Sequence, residues 1–394
     1  MKIPLMKNAF LKEEETKKAL AEFILTSNKF SMGEKCEEFE VQFSKWQKRN
    51  FSLLFNSGGS ANLAILQALK NLGKLKTGDN VAFSALTWST NTMPIIQMGL
   101  NPIALDCDMN NLNVSSKTII DRIKSVNIKA IFITNVLGFV GDMDEIVNLC
   151  NEKNIIILED NCESLGTVHI NGKKAGNFSL ASSFSFFVAH HMSTIEGGMV
   201  CTDNADLAEM LIMVRANGWD RNLSESQQTK WRLKYTIESE FQAKYTFYDL
   251  AFNFRPTEIT GFLGLIQLKY LDSNILIRES NYLEVEKTIL NNEDFFNLNH
   301  DHIKLLSTFA IPLICKTKAI KEKYLLKFAQ AGVETRPMIA GNIQRQPFYK
   351  KYVNEIYDLP NTDQIHECGF YCGNYPELTK DDLDIIKNCL TNSI

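Results

Sequence analysis

Two adjacent histidines, His190 and His191, stand in SFSFFVAHHMSTIEGG (residues 183–198), where aromatic and small residues run into a Glu-Gly-Gly turn. A neutral imidazole accepts a proton near neutral pH and its cation can return it, so one of these rings is a candidate proton carrier. Three other groups have matching chemistry. In NSGGSAN (56–62), Gly58, Gly59 and Ser60 open a helix. Glycine lets the backbone approach an anion and the first helical amides point at it, which makes a phosphate cradle, although such a turn is often only a turn. Asp160, with Glu159 before it, closes the run IIILED. An acid there either caps the next turn or holds a proton on a heterocycle nitrogen. Trp88 in ALTWSTN is either a core ring or a platform on which an aromatic ligand stacks.

Alternating strands and helices must position these groups. FSLLF, NVAFSAL, NPIALDCD, KAIFITNVLG, IIILED, SFSFF and GGMVCTD read as strands. Between several of them lie amphipathic helices. One follows NSGGSAN and ends at Gly73, one is SSKTIIDRIKSV with Ser115 or Ser116 as its cap, and one is MDEIVNLCNEKN. This alternation predicts an α/β fold whose mainly parallel sheet is covered on both faces. Ligands of such sheets bind at the carboxyl ends of the strands, where the candidate groups lie. From about residue 205 to 260 the chain turns polar and aromatic and reads as mostly helical. From about 261 a long helix, GFLGLIQLKYLDSNILIRESNYLEVEKTIL, leads into a smaller α+β domain.

The 394 residues are 45% hydrophobic and 22% charged, with a net charge of −4. That balance favours neither nucleic acid nor an anionic membrane. No stretch approaches 18 uninterrupted apolar residues, and the opening residues hold no long apolar run of the kind expected of a signal peptide. Nine scattered cysteines without a CxxC pair suggest reduced thiols in a cytoplasm. Cys368 and Cys372 could share a helix face, but two thiols make a poor metal site, and no metal is expected. His169, His300, His302 and His366 lack metal spacing and read as structural or exposed.

The order of phosphate turn, aromatic ring, terminal Asp and reactive residue resembles that of fold-type I enzymes using pyridoxal phosphate. More narrowly, the chain resembles the DegT/StrS-type sugar aminotransferase family over most of its length. SGGSANLAILQAL is similar to the family's SGTxAL phosphate turn. NVLGFVGDMDEIVNLCNEKNIIILEDNCESLGT resembles its strand-helix-strand block ending in the cofactor Asp. SFSFFVAHHMSTIEGG resembles its FSFxxxKxxxxGEGG block, and FNFRPTEITGFLGLIQL its NxRxxEIxAxxGxxQL block. The resemblance implies a large domain with a seven-stranded sheet over 33–258, a small α+β domain over 259–394, and an N-terminal segment, 1–32, packed on the small domain.

One departure matters most. His190 stands where the family carries the lysine that bonds to the cofactor, His191 falls where the family often has a histidine, and no lysine occurs between Lys174 and Lys230. An imidazole cannot make that bond, so pyridoxal 5′-phosphate and its pyridoxamine form would be held non-covalently while His190 moves protons. The same replacement marks relatives that remove the C3 hydroxyl of nucleotide-linked 4-keto-6-deoxy sugars. The likeness implies a lyase acting on a GDP-linked hexose or heptose, in lipopolysaccharide or capsule synthesis. L-glutamate would be the amino donor, with 2-oxoglutarate and ammonia released. An iron-sulfur branch with the same replacement needs cysteines downstream of this block, and none occurs between Cys201 and Cys315. A 4-amino-sugar aminotransferase and a non-catalytic sugar-nucleotide binder are the competing readings.

By position the resemblance assigns Asp160 to the pyridine nitrogen, Trp88 to ring stacking, and Gly58, Gly59, Ser60 and Ser185 to the phosphate. Glu163 takes the place of a glutamine near the ring hydroxyl. Asn253 matches a residue that reaches the phosphate of a neighbouring subunit, implying a homodimer or higher oligomer with shared sites. Arg221 and Arg336 are candidates for carboxylate or diphosphate binding, or for surface salt bridges.

Overall fold

The computed structural model describes residues 2–391. Seven strands form one sheet, in the spatial order Phe51–Phe55, Gly198–Thr202, Ala181–Ser185, Ile156–Asp160, Ala130–Thr134, Asn80–Ser84 and Asn101–Leu105. Only Gly198–Thr202 runs antiparallel to its neighbours; the remaining pairings are parallel, as the βα alternation requires. Alternate residues of the strand Ala130–Thr134 face two different cores. Ile131 and Ile133 belong to one, shared with the C-terminal elements. Ala130 and Phe132 belong to the other, under the helices Gly58–Asn71 and Ala205–Val214. Both faces are buried, which is why these strands read as continuous apolar runs.

A three-stranded antiparallel sheet, Ala310–Ile314, Gly369–Gly373 and Thr335–Pro337, carries the C-terminal part. The helix Glu258–Leu290 runs for 33 residues and starts three residues before the predicted position, because Thr257 caps it through Thr260 N. The helix Ser116–Ile123 is capped by Ser115, with a reciprocal capping box through Thr118. At the N-terminus, Ile3 bridges Val333 in parallel, and the Leu11 amide donates to Gln267 Oε1 of the long helix at 2.9 Å.

Two expectations are corrected. Segment 205–260 is less helical than its composition suggested, with helices at Ala205–Val214, Glu225–Lys234 and Glu240–Ala243 before the long helix begins at Glu258. Aromatic packing holds the rest: Trp231 stacks on Tyr235, and the buried Asp220 accepts from Arg232 Nε at 2.8 Å and from the Tyr248 hydroxyl at 3.2 Å. Cys368 and Cys372 do not share a helix face. Cys368 closes the helix Pro360–Cys368 and Cys372 lies in the following strand. Among the described residues no helix is long and apolar enough to cross a membrane, and no cluster of His, Cys, Asp and Glu is arranged to hold a metal.

Candidate active site

The carboxyl ends of the central strands open into a cavity of about 460 Å³. Gly58, Gly59, Trp88, Asp160, Glu163, Ser185 and His190 all line it. Residues far apart in the sequence are therefore brought together, as the position of the strand ends demanded.

The floor is Asp160, at the end of Ile156–Asp160 and only 4% exposed. Its Oδ2 accepts from Asn62 Nδ2 at 2.8 Å and Asn91 Nδ2 at 2.7 Å, and its Oδ1 from the Cys162 amide at 2.9 Å. Three donors on one carboxyl group suit the ionised form, which can only accept. No Lys or Arg lines the cavity. A buried anion with dipolar partners alone calls for a cation, and a protonated heterocycle nitrogen above it would provide one. Glu159, beside it, points the other way and is fully buried. It accepts from the Gly176 and Phe178 amides at 2.9 and 3.1 Å and so fixes that loop.

One end of the cavity is the start of the helix Gly58–Asn71. Ser57 caps it, its Oγ accepting from Ser60 N at 3.0 Å. A Cβ on Gly58 would lie 2.8 Å from Ser185 Cβ, and one on Gly59 would lie 3.0 Å from Thr90 Cγ2. The glycines keep open a space at a helix N-terminus, where partial positive charge favours an anion. Ser57 lines this space and Ser60 does not; the Ser60 amide is already spent on the cap. Trp88 is 56% exposed, far too open for a core ring, and its indole stands on the cavity wall just before the helix Ser89–Gln97.

His190 closes the opposite wall. Its ring packs on Phe309, centroids 5.2 Å apart, and edge-on to Phe187 at 6.3 Å. Nδ1 is buried without a hydrogen-bond partner. Burial pushes its pKa down to about 4, against the opposing pull of Asp160 and the Cys162 backbone, so the ring is neutral at physiological pH. His191 points away: it is 1% exposed and its Nε2 meets the Ser307 carbonyl at 3.1 Å. Burial holds it well below the usual histidine range. Between the two rings, His190 faces the cavity and His191 supports the loop behind it. Glu163 Oε2 accepts from the Leu137 amide at 3.0 Å, and burial pushes its carboxyl up to about 8.

The remaining candidates lie outside the cavity. Arg221 is exposed, sandwiched between Trp219 (4.2 Å) and Tyr245 (4.7 Å), with Nε donating to the Lys244 carbonyl at 2.8 Å. Arg336 is exposed and ion-paired to Glu334. Asn253 is exposed in the bridge opposite Ala216. The sequence reading gave no role to Asn62 and Asn91, although both sit in the stretches it singled out. It also missed Phe309, Ile339 and Tyr371, which reach the cavity from the C-terminal part.

The sequence pattern of the DegT/DnrJ/EryC1/StrS aminotransferases matches residues 11–391. The chain belongs to this family. A relative in Yersinia pseudotuberculosis, GDP-4-keto-6-deoxy-D-mannose 3-dehydratase, is 34% identical over 361 residues, 89% of each chain. A solved structure of GDP-4-keto-6-deoxymannose-3-dehydratase with a trapped PLP-glutamate geminal diamine is similar at a TM-score of 0.90 and 30% identity, covering 99% of this chain and all of that one. A His-to-Asn variant of that enzyme with bound GDP-perosamine gives 0.89 at the same identity and coverage. The α/β fold is thus that of the pyridoxal-phosphate-dependent DegT enzymes. Ile195, with φ at 72°, stands where the family block has its first glycine. A β-branched residue in this region is strained, and such strain gathers at active sites.

Proposed function

We propose that this chain is a pyridoxal-phosphate-dependent 3-dehydratase of a GDP-linked 4-keto-6-deoxy sugar, hexose or heptose, and hence a lyase. The observation that carries the reading is His190: a neutral imidazole on the cavity wall, its Nδ1 without a hydrogen-bond partner, in the place of the family's cofactor-bonding lysine. The relatives' names support the substrate class.

The cavity fits the cofactor on three counts: an anion cradle kept open by Gly58 and Gly59, an exposed indole, and a buried carboxylate lacking a cation. When bound, the cofactor supplies an amine that joins the sugar's C4 ketone and a protonated ring that takes up electrons. This chain's residues do the rest. Gly58, Gly59, Ser57 and Ser185 would hold the phosphate, and Trp88 would stack on the ring. Asp160, kept ionised by three donors, keeps a proton on the ring nitrogen. Glu163, protonated at neutral pH, sits by the ring hydroxyl. His190 would take a proton from the cofactor's C4′ carbon, and the resulting imidazolium would be an acid for the hydroxyl leaving C3.

The electrons balance: oxidation of L-glutamate to 2-oxoglutarate and ammonia supplies the pair that reduces C3, and one water is consumed for each released. Asn253, exposed at its own surface, completes the phosphate site of a second copy in a homodimer. Nine free thiols suit a cytoplasmic enzyme. The three-part division at residues 32 and 258 is retained as the domain organisation.

Purified protein given pyridoxal phosphate, glutamate and the keto sugar nucleotide should release ammonia and form a 4-keto-3,6-dideoxy product. A 4-amino sugar in its place would make the protein an aminotransferase, and binding without turnover would make it a sugar-nucleotide binder; either overturns the proposal.

A further inference from the structure

Arg278 lies mid-way along the helix Glu258–Leu290 and is 4% exposed. Its hydrogen-bond partners are neutral oxygens. Nε donates to Asn274 Oδ1 at 2.9 Å, and Nη1 donates to the Phe309 carbonyl at 3.0 Å and to the Asn374 carbonyl. A buried guanidinium whose hydrogen bonds go only to neutral acceptors is costly, and burial pushes its pKa down to about 10 against the pull of the Glu377 charge. The bonds it makes lead in two directions to one place. Asn274 Nδ2 donates to the His191 carbonyl, fixing the main chain next to residue 190. The Phe309 carbonyl belongs to the residue whose ring lies 5.2 Å from the His190 ring. The His191 ring, tied to Ser307 two residues before Phe309, joins the two arms.

We infer that Arg278 and Asn274 are the positioning residues of His190, one arm setting its backbone and the other the aromatic ring on which the imidazole rests. This rests on His190 being the proton carrier proposed above. Arg278 also faces the imidazole as a positive charge. The other titratable groups near that ring are Asp160 at the strand end, Cys162 and Glu163 beyond it, Glu196 and Tyr371 on the cavity wall, Glu377 beside Arg278, and the neutral His191 behind the ring. Asp160 pulls the titration of the ring upward and Arg278 pushes it downward. The clamp therefore also helps keep the resting ring unprotonated.

Four variants test this: Asn274→Ala, Arg278→Met, Arg278→Lys and His190→Gln. The readouts are kcat and KM, cofactor binding by absorbance, and the His190 titration by NMR of ring-labelled, cofactor-free protein, with the signal identified by its loss in His190→Gln. Asn274→Ala should lose about 100-fold in kcat, the scale of an ångström-sized misplacement, with KM and cofactor binding unmoved. Arg278→Met should lose a similar factor and move the His190 titration upward. Arg278→Lys keeps the charge but not the fork, so it should restore the titration and not kcat.

A folded Asn274→Ala protein with wild-type kcat overturns the inference, as does an unmoved titration in Arg278→Met. Should Arg278→Met not fold, Asn274→Ala and Arg278→Lys decide the matter. Full activity in His190→Gln would instead defeat the dehydratase reading. An inactive His190→Gln beside normal clamp variants defeats only the clamp.

Discussion

Replacing Glu163 by Gln changes one atom of a carboxyl that faces the cavity, and the structure gives the size and sign of the effect. Burial pushes this acid from an ordinary 4.5 up to about 8; the Leu137 amide opposes the shift and Asp160 adds to it. The folded chain therefore holds the proton more tightly than the unfolded chain does. The stability tied to that proton is fully present below pH 4.5, falls as pH rises, and is gone above about pH 8. At about 1.4 kcal/mol per unit, cofactor-free wild type has lost on the order of 3 kcal/mol by pH 7. The carboxyl borders an open cavity, so this figure is an upper bound. In Glu163→Gln the side-chain amide does not titrate and keeps an oxygen for the Leu137 amide. Urea unfolding of both proteins at pH 5, 6, 7, 8, 9 and 10 should show the variant gaining on wild type up to about pH 8 and levelling off above it. A constant difference across that range would refute the burial argument and, with it, the assignment of a protonated Glu163 at neutral pH.

Other outcomes follow from the same geometry. His190→Lys puts an amine at a wall that has no lysine, so borohydride treatment with pyridoxal phosphate should add the cofactor's mass to the chain while ammonia release falls; an unchanged mass would place residue 190 away from the cofactor. Gly58→Ala brings a Cβ to 2.8 Å from Ser185 Cβ and should weaken cofactor binding about tenfold or more, a loss of about 1.4 kcal/mol; an unaltered absorbance titration would move the phosphate elsewhere. Asp160→Asn sets an amide against the two amides of Asn62 and Asn91. It should destabilise the cofactor-free fold by about 1–3 kcal/mol, and equal thermal stability would show that those donors are free to turn away.

The site is mostly a carboxyl-end assembly, and its distance from the exposed candidates has a plain cause. Arg221 stacks between two aromatic rings and Arg336 pairs with its neighbour Glu334. Each guanidinium finds its partner locally. The cavity is left without a lysine or arginine of its own, so the buried carboxyl at its floor is complemented by the ligand.

What was legible in the linear chain was local. Apolar runs bounded by glycines and amphipathic helices located the strands, because burial on both faces leaves that pattern in composition. The phosphate turn, Trp88, Asp160 and His190 could be found because each ends or follows one such element. The family resemblance had put His190 rather than His191 in the lysine's place, and tertiary structure supplied the physical reason: the Ser307 carbonyl captures His191, and Phe309 supports His190 on the cavity wall. It also brought Asn62 and Asn91 to Asp160 across 98 and 69 residues, and placed Ser57 rather than Ser60 at the cradle. Periodicity records which face of an element is buried; it carries no record of which distant side chain arrives there, since that is settled by packing between elements.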